Sequence, residues 1–191
     1  MTIGVLAVQG SFALHVKSLK RCGVEAVPVK RSSQLEGLDG IILPGGESTT
    51  FHSVMSEDDL LSQLKTAICN GLPTWGTCAG AIMLGRGEGV PERWNLIGVE
   101  TARNAFGRQV DSFVAPLEIK GLETPFDGVF IRAPRFKAID DSVEALASYS
   151  GEPVMARQRH ILVTSFHPEL TEDLRVHQLF LKNFCTRNLI K

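Results

Sequence analysis

The chain alternates short apolar runs with longer segments of helical period. Residues 2–8 (TIGVLAV) form an unbroken apolar run closed by Gln9-Gly10, the pattern of a strand covered on both faces. Phe12, Val16 and Leu19 then recur at helical spacing until Gly23, a helix stop. Residues 24–29 and 39–43 read as the next strands, the second closed by Pro44-Gly45-Gly46. One helix is predicted to start near Ser48. Another is predicted at Ser56, where Ser56 and Asp59 make a capping-box pattern ahead of Leu60, Leu61 and Leu64. Residues 73–76 form a very short strand, followed by Cys78 and a small-residue helix from Ala79. Strands alternating with helices predict a parallel sheet with helices on both faces.

After about Val99 the texture changes. Residues 110–119, 128–132, 143–149, 154–158 and 160–166 read as strands separated by turn residues such as Gly121, Gly128 and Gly151. These are expected to form hairpins that extend or edge the parallel sheet. A last helix is predicted over 172–189, its apolar stripe being Val176, Leu179, Phe180 and Phe184 with Asn183 as the polar interruption. The 191 residues suit one domain spanning 1–191, without repeat or linker. The expected fold is a three-layer αβα sandwich with a mainly parallel sheet and an antiparallel extension.

Composition narrows the function classes. A net charge of −1 gives no electrostatic footprint for nucleic acid or an anionic membrane, and no apolar run approaches a bilayer-spanning length. The opening MTIGVLAVQG carries neither a basic leader nor a cleavage site, so no signal peptide is expected. Cys22, Cys69, Cys78 and Cys185 are widely spaced with no CxxC pair. That argues against a zinc site or a disulfide framework and for a reducing, cytoplasmic setting.

The strongest chemical signal is Gly76-Thr77-Cys78-Ala79-Gly80, between a short strand and a helix. It is a G-x-nucleophile-x-G elbow with cysteine in the nucleophile position. Such a turn is tight enough that flanking side chains would clash, hence Gly76 and Gly80. It lifts the sulfur to the carboxyl edge of the sheet, where open α/β sheets bind ligands, and to a helix N-terminus that favours thiolate.

A thiol nucleophile needs a base. In Ser165-Phe166-His167-Pro168-Glu169, His167 and Glu169 stand two residues apart in extended chain, so both can point to one side. The carboxylate would orient the imidazole and the imidazole would take the Cys78 proton. Pro44-Gly45-Gly46-Glu47-Ser48-Thr49 leaves a strand toward a helix, and its N–H groups should face the same edge. The Gly46 and Ala79 N–H groups are expected to form an oxyanion hole, each donor worth roughly 3 kcal/mol of barrier.

Six segments together carry a resemblance. They are residues 4–10 (GVLAVQG), 43–50 (LPGGESTT), 76–80 (GTCAG), 103–113 (RNAFGRQVDSF), 129–134 (VFIRAP) and 165–173 (SFHPELTED). The chain resembles the class I glutamine amidotransferases and, more narrowly, the family of glutaminase subunits of pyridoxal 5′-phosphate synthase. The resemblance implies a flavodoxin-like class I glutamine amidotransferase fold, a catalytic triad of Cys78, His167 and Glu169, and a glutamine site built from Gly46, Glu47, Ser48, Arg103, Ile131 and Arg132. Glu47 suits the substrate ammonium and an arginine its carboxylate. Leu14 and Ala102 depart from the family pattern, standing where acidic residues are usual. His15, His52, His160 and His177 receive no role and are expected to be solvated or packed.

The implied reaction is hydrolysis of L-glutamine to glutamate and ammonia, with no metal or organic cofactor required. The implied partner is the (β/α)₈-barrel synthase subunit in a large hetero-oligomer, with Gln9 a candidate for the face toward it. Two alternatives stand beside this reading: the same glutaminase serving another synthase, such as the histidine-pathway cyclase, or a cysteine peptidase on a similar sheet. A non-catalytic assembly subunit is disfavoured by the intact Cys78, His167 and Glu169.

Overall fold

The computed structural model describes residues 1–7, 10–46, 59–87, 93–102 and 112–186. The first half supplies strands β1 (Thr2–Leu6), β2 (Glu25–Val29), β3 (Gly40–Leu43) and β4 (Thr74–Thr77), with helices α1 (Phe12–Arg21), α2 (Leu60–Cys69) and α3 (Ala79–Leu84). The second half supplies β5 (Val99–Ala102), β6 (Phe113–Leu117), β7 (Phe126–Phe130), β8 (Arg135–Ile139), β9 (Glu144–Tyr149), β10 (Glu152–Gln158) and β11 (Ile161–Thr164), then α4 (Arg175–Phe180).

The main sheet has the order β2-β1-β3-β4-β11-β10-β9. Its first five strands are mutually parallel, and β10 and β9 turn antiparallel at one edge. β3, β4 and β11 are buried at every residue, which is why β3 and most of β11 read as apolar runs. Alternate residues serve opposite faces. Ile3, Val5, Ile42, Trp75 and Leu162 pack with Leu19 of α1 and Val176, Leu179 and Phe180 of α4. Leu6, Ile41, Leu43 and Val163 pack with Leu60, Leu64 and Ile68 of α2 and with the small residues of α3. The expected mainly parallel sheet covered on two faces is therefore present.

The second half departs from the pattern in instructive ways. Only β9 and β10 extend the main sheet; β5 pairs with β8, and β6 with β7, as separate two-stranded sheets. β5 and β8 are not legible as strands in the sequence, because their apolar residues alternate with charged ones over only four and five positions. The strand expected over 128–132 is β7 and ends at Phe130; the chain then bends, with Arg132 at φ +47°. The last helix starts at Arg175, not 172. The Asp173 carboxylate accepts from the Arg175 N–H at 2.9 Å and from its guanidinium, fixing the first turn. The helix then widens into a π turn over Leu181–Cys185. α2 begins at Leu60 behind Asp59 at φ +44°. Ser56 and the helix expected near Ser48 lie outside the described residues. No helix among the described residues is long and apolar enough to cross a membrane.

Candidate active site

Parallel strands in register bring their carboxyl ends to one rim. There β1 leads to Ser11, β3 to Gly45 and Gly46, β4 to Cys78, and β11 to His167 and Glu169. The elbow is as tight as the pentapeptide predicts. Cys78 sits at φ +49°, a strained conformation held by its N–H donating to Thr164 O at 2.9 Å. A Cβ on Gly76 would lie 2.7 Å from the Gly80 backbone, and one on Gly80 would lie 2.0 Å from Leu43 O. Both flanking positions therefore exclude a side chain.

His167 Nδ1 lies 2.8 Å from Glu169 Oε1, and the His167 ring stands close enough to the Cys78 thiol for the two to couple electrostatically. Gly45 lies between them: a Cβ there would be 2.7 Å from His167 Cε1 and 3.2 Å from Cys78 Cβ. The sulfur also lies 4.0 Å from the carbonyl oxygen of Arg132, so the bend after β7 reaches the same place. The His167 N–H donates to Val129 O at 2.8 Å, tying that bend to the imidazole segment.

Glu169 is a buried carboxylate, its side chain wholly inaccessible. Ser11 donates its hydroxyl to Oε1 at 2.5 Å. Behind it lie two further buried rings. His15 Nε2 is 3.3 Å from Glu169 Oε2, and His15 Nδ1 is 3.0 Å from His177 Nε2. Thr77 Oγ1 accepts the Gly45 N–H at 3.0 Å and lies 3.4 Å from His15 Nε2.

The electrostatics follow from this enclosure. Burial works against a charged His167, but its interaction with the Cys78 thiol and its hydrogen bond to Glu169, with the attraction of both groups, raise its pKa to about 10. Burial alone would push Glu169 upward. The attraction of His15, the hydrogen bond and charge of His167, and the Ser11 hydroxyl instead hold it down at about 2. Burial pushes His15 below the ordinary imidazole value against the pull of Glu169, and burial likewise takes His177 down to about 3. His177 is thus neutral at pH 7, and so is His15. At pH 7 the positive charge beside Glu169 is therefore that of His167, with Ser11 adding a hydrogen bond, and the attraction of His15 acts only at acidic pH, where that ring is protonated.

The sequence profile of the SNO glutamine amidotransferase family matches residues 5–186. The chain belongs to this family. It is 49% identical over 186 residues to the pyridoxal 5′-phosphate synthase subunit PdxT of Bacillus pumilus, covering 95% of this chain and 94% of that one. It is 51% identical to the protein of the same name from Moorella thermoacetica, covering 95% and 98%. A crystal structure of a glutamine amidotransferase superposes with a TM-score of 0.88 at 47% identity, over 94% of this chain and 97% of that one. The structure of PurLQS from Thermotoga maritima shares the fold, with a TM-score of 0.71 at 18% identity over 95% and 97% of the two chains.

In this SNO-family chain the structure brings together Cys78, His167 and Glu169, with Ala79 next to Cys78 in the chain, Gly46 next to Gly45, which packs against Cys78 and His167, and Ile131 and Arg132 at the adjoining bend. Glu47, Ser48, Arg103 and Gln9 lie outside the described residues. His160 is packed, its Nε2 2.8 Å from Ile68 O; His52 lies outside the described residues. Sequence reasoning missed Ser11, Thr77, His15 and His177. Ser11 and Thr77 carried a usable signal, since each follows or ends a strand of the parallel set at its carboxyl end. The two histidines carried none, because both sit within helices whose buried side is recognisable only in three dimensions.

Proposed function

We propose that this chain hydrolyses L-glutamine with Cys78 as nucleophile, His167 as acid and base, and Glu169 as the group that orients the imidazole. A glutaminase is what membership of the glutamine amidotransferase family means for an enzyme with this site. One observation carries the assignment of roles: segments after β4 and β11 bring the Cys78 sulfur, the His167 imidazole and the Glu169 carboxylate together at the sheet rim, with the imidazole hydrogen-bonded to the carboxylate and coupled to the thiol.

Glu169 occupies Nδ1 of His167, which leaves Nε2 for the sulfur. The Cys78 thiolate attacks the side-chain amide carbon, and the carbonyl oxygen takes up the negative charge. The Gly46 and Ala79 N–H groups receive that oxyanion. The imidazolium gives its proton to the departing nitrogen, ammonia leaves, and a thioester remains. Neutral His167 then takes a proton from water, whose oxygen attacks the thioester. Glutamate leaves and the thiolate–imidazolium pair is restored. Ile131, Arg132 and, from the segments beyond the described residues, Glu47, Ser48 and Arg103 hold the amino-acid end of the substrate.

Ammonia that escapes to bulk water is protonated and lost as a nucleophile, so the product needs a docked acceptor. The relatives are subunits of pyridoxal 5′-phosphate synthase, and the acceptor proposed for this chain is the (β/α)₈-barrel synthase subunit, in a hetero-oligomer. Exposed Leu14, Ile131 and Leu170 support docking at this rim, being chain neighbours of His15, Arg132 and Glu169. One domain carries both catalysis and docking. A cytoplasmic setting fits its four free cysteines. The test is glutamate release from glutamine with and without the barrel subunit. Release should be weak alone, higher in the mixture, and absent for Cys78→Ala. Equal turnover with and without the synthase refutes the coupling, and an active Cys78→Ala refutes the nucleophile.

A further inference from the structure

Glu169 has two oxygens, and the triad uses one. Oε1 takes both His167 Nδ1 and the Ser11 hydroxyl. Oε2 is buried and has no well-formed hydrogen bond among the described residues. The group facing it is His15 Nε2, at 3.3 Å. His15 is itself fully buried and faces four groups: Glu169, the Thr77 hydroxyl, the His177 ring and the edge of Trp75. His177 is fully buried too, packed edge-on against Trp75. An anionic oxygen in this apolar enclosure is costly unless a donor addresses it.

A proton count along this line leaves one consistent arrangement. Each neutral imidazole has one N–H and one lone pair. Only one proton can lie between His15 Nδ1 and His177 Nε2, which are 3.0 Å apart. If His15 supplied it, the His15 Nε2 lone pair would face the carboxylate and Thr77 Oγ1, and the remaining His177 proton would sit on Nδ1, a buried nitrogen with no partner. If His177 supplies it, His15 carries its proton on Nε2, aimed at Oε2. His177 Nδ1 is then a bare lone pair, which is cheaper to bury than an unpaired N–H.

We infer that His15 and His177 form a neutral, one-directional pair, His177 Nε2–H to His15 Nδ1 and His15 Nε2–H toward Glu169 Oε2, that positions the triad carboxylate. They touch neither substrate nor sulfur and act through Glu169, so they are positioning residues. The pair also reaches the loop after β3. Thr77 Oγ1 lies beside the same His15 nitrogen and holds the Gly45 N–H, so the carboxylate and the glycine loop share one anchor. The low proton affinity that burial imposes on both rings keeps the pair from charging near neutral pH.

The inference rests on the proposed role of Glu169, but its first test does not depend on activity. Long-range ¹H–¹⁵N spectra of the imidazoles in the full chain should place the proton of both His15 and His177 on Nε2, with Nδ1 unprotonated, throughout the neutral range. An Nδ1–H tautomer at His15, or a cationic ring at either residue at pH 7, overturns it. The second test uses glutamate release with the barrel subunit present. His15→Leu keeps apolar bulk and removes the donor. It should lower kcat about tenfold or more with little change in KM, and move the acidic limb of the kcat profile to higher pH, because Glu169 is then protonated more readily. His15→Gln places an amide N–H where Nε2–H was and should recover most of the loss. Equal losses in two folded variants, or an unmoved acidic limb in His15→Leu, overturn the positioning role. Should either variant fail to fold, the tautomer assignment on the parent chain still decides. An active Cys78→Ala would sink the catalytic reading instead and leave the tautomer result standing, so the two failures are separable.

Discussion

Gly45 and His167 are in such close contact that a single methyl group on the glycine would lie 2.7 Å from Cε1 of the ring. This glycine is required less for its own backbone conformation than for the space it cedes to the base. Gly45→Ala should push the imidazole off the line between sulfur and carboxylate. A displacement on the order of 1 Å at a reacting group costs about 10²-fold. The expected outcome is a kcat for glutamate release lower by about that factor, read with glutamine saturating. Parent-like kcat would mean that the ring does not work from this position.

Gly80 tests the elbow itself. A Cβ there meets Leu43 O at 2.0 Å, and that atom belongs to the backbone of β3, which cannot swing aside as a side chain could. Gly80→Ala should destabilise the fold by about 3 kcal/mol. The free energy from denaturant unfolding measures it, and a loss near zero would show that the strand-to-helix turn is looser than described.

Thr77→Val separates the hydroxyl from the volume. The substitution keeps the shape of a wholly buried residue and removes the acceptor of the Gly45 N–H. A buried donor left without a partner costs about 1–3 kcal/mol. Stability should fall by that amount and glutamate release should fall with it, since the loop after β3 loses its tether. Thr77→Ser, which keeps the oxygen, should retain more of both.

Stability should peak near neutrality. Folding raises His167 from 6.5 to about 10, so its contribution is complete below pH 6.5 and is lost as pH rises toward 10. Folding lowers Glu169 from 4.5 to about 2, so its contribution is complete above pH 4.5 and is lost as pH falls toward 2. His177 drops from 6.5 to about 3 because burial opposes its charge; the unfolded chain takes up that proton first, and stability falls between those values as pH decreases. His15 acts in the same direction. Denaturation midpoints should be highest at about pH 6.5 and lower on both sides. A midpoint that rises steadily from pH 6.5 to about pH 9 would contradict the raised pKa of His167.

The sequence alone determined the parallel core and the three chemical groups. A short, largely apolar run such as that of β1, β3 or β11, bounded by turn residues, reads as a strand buried on both faces. A cysteine between glycines after such a run reads as a strand-to-helix elbow that lifts the sulfur to the sheet edge, and the short His-x-Glu spacing lets imidazole and carboxylate lie on one side. These are local constraints, set by backbone sterics and by a side-chain period of two, so they are written in neighbouring residues. Tertiary structure decided the rest. Ser11 reaches Glu169 across 158 positions and His15 meets His177 across 162; β5 finds β8; and the chain turns at Arg132 instead of continuing its strand. Whether a polar group is buried, and which partner satisfies it, depends on elements distant in the chain arriving together. No periodicity records that, so two histidines that read as packing residues became the backing of the carboxylate only once the sheet had closed around them.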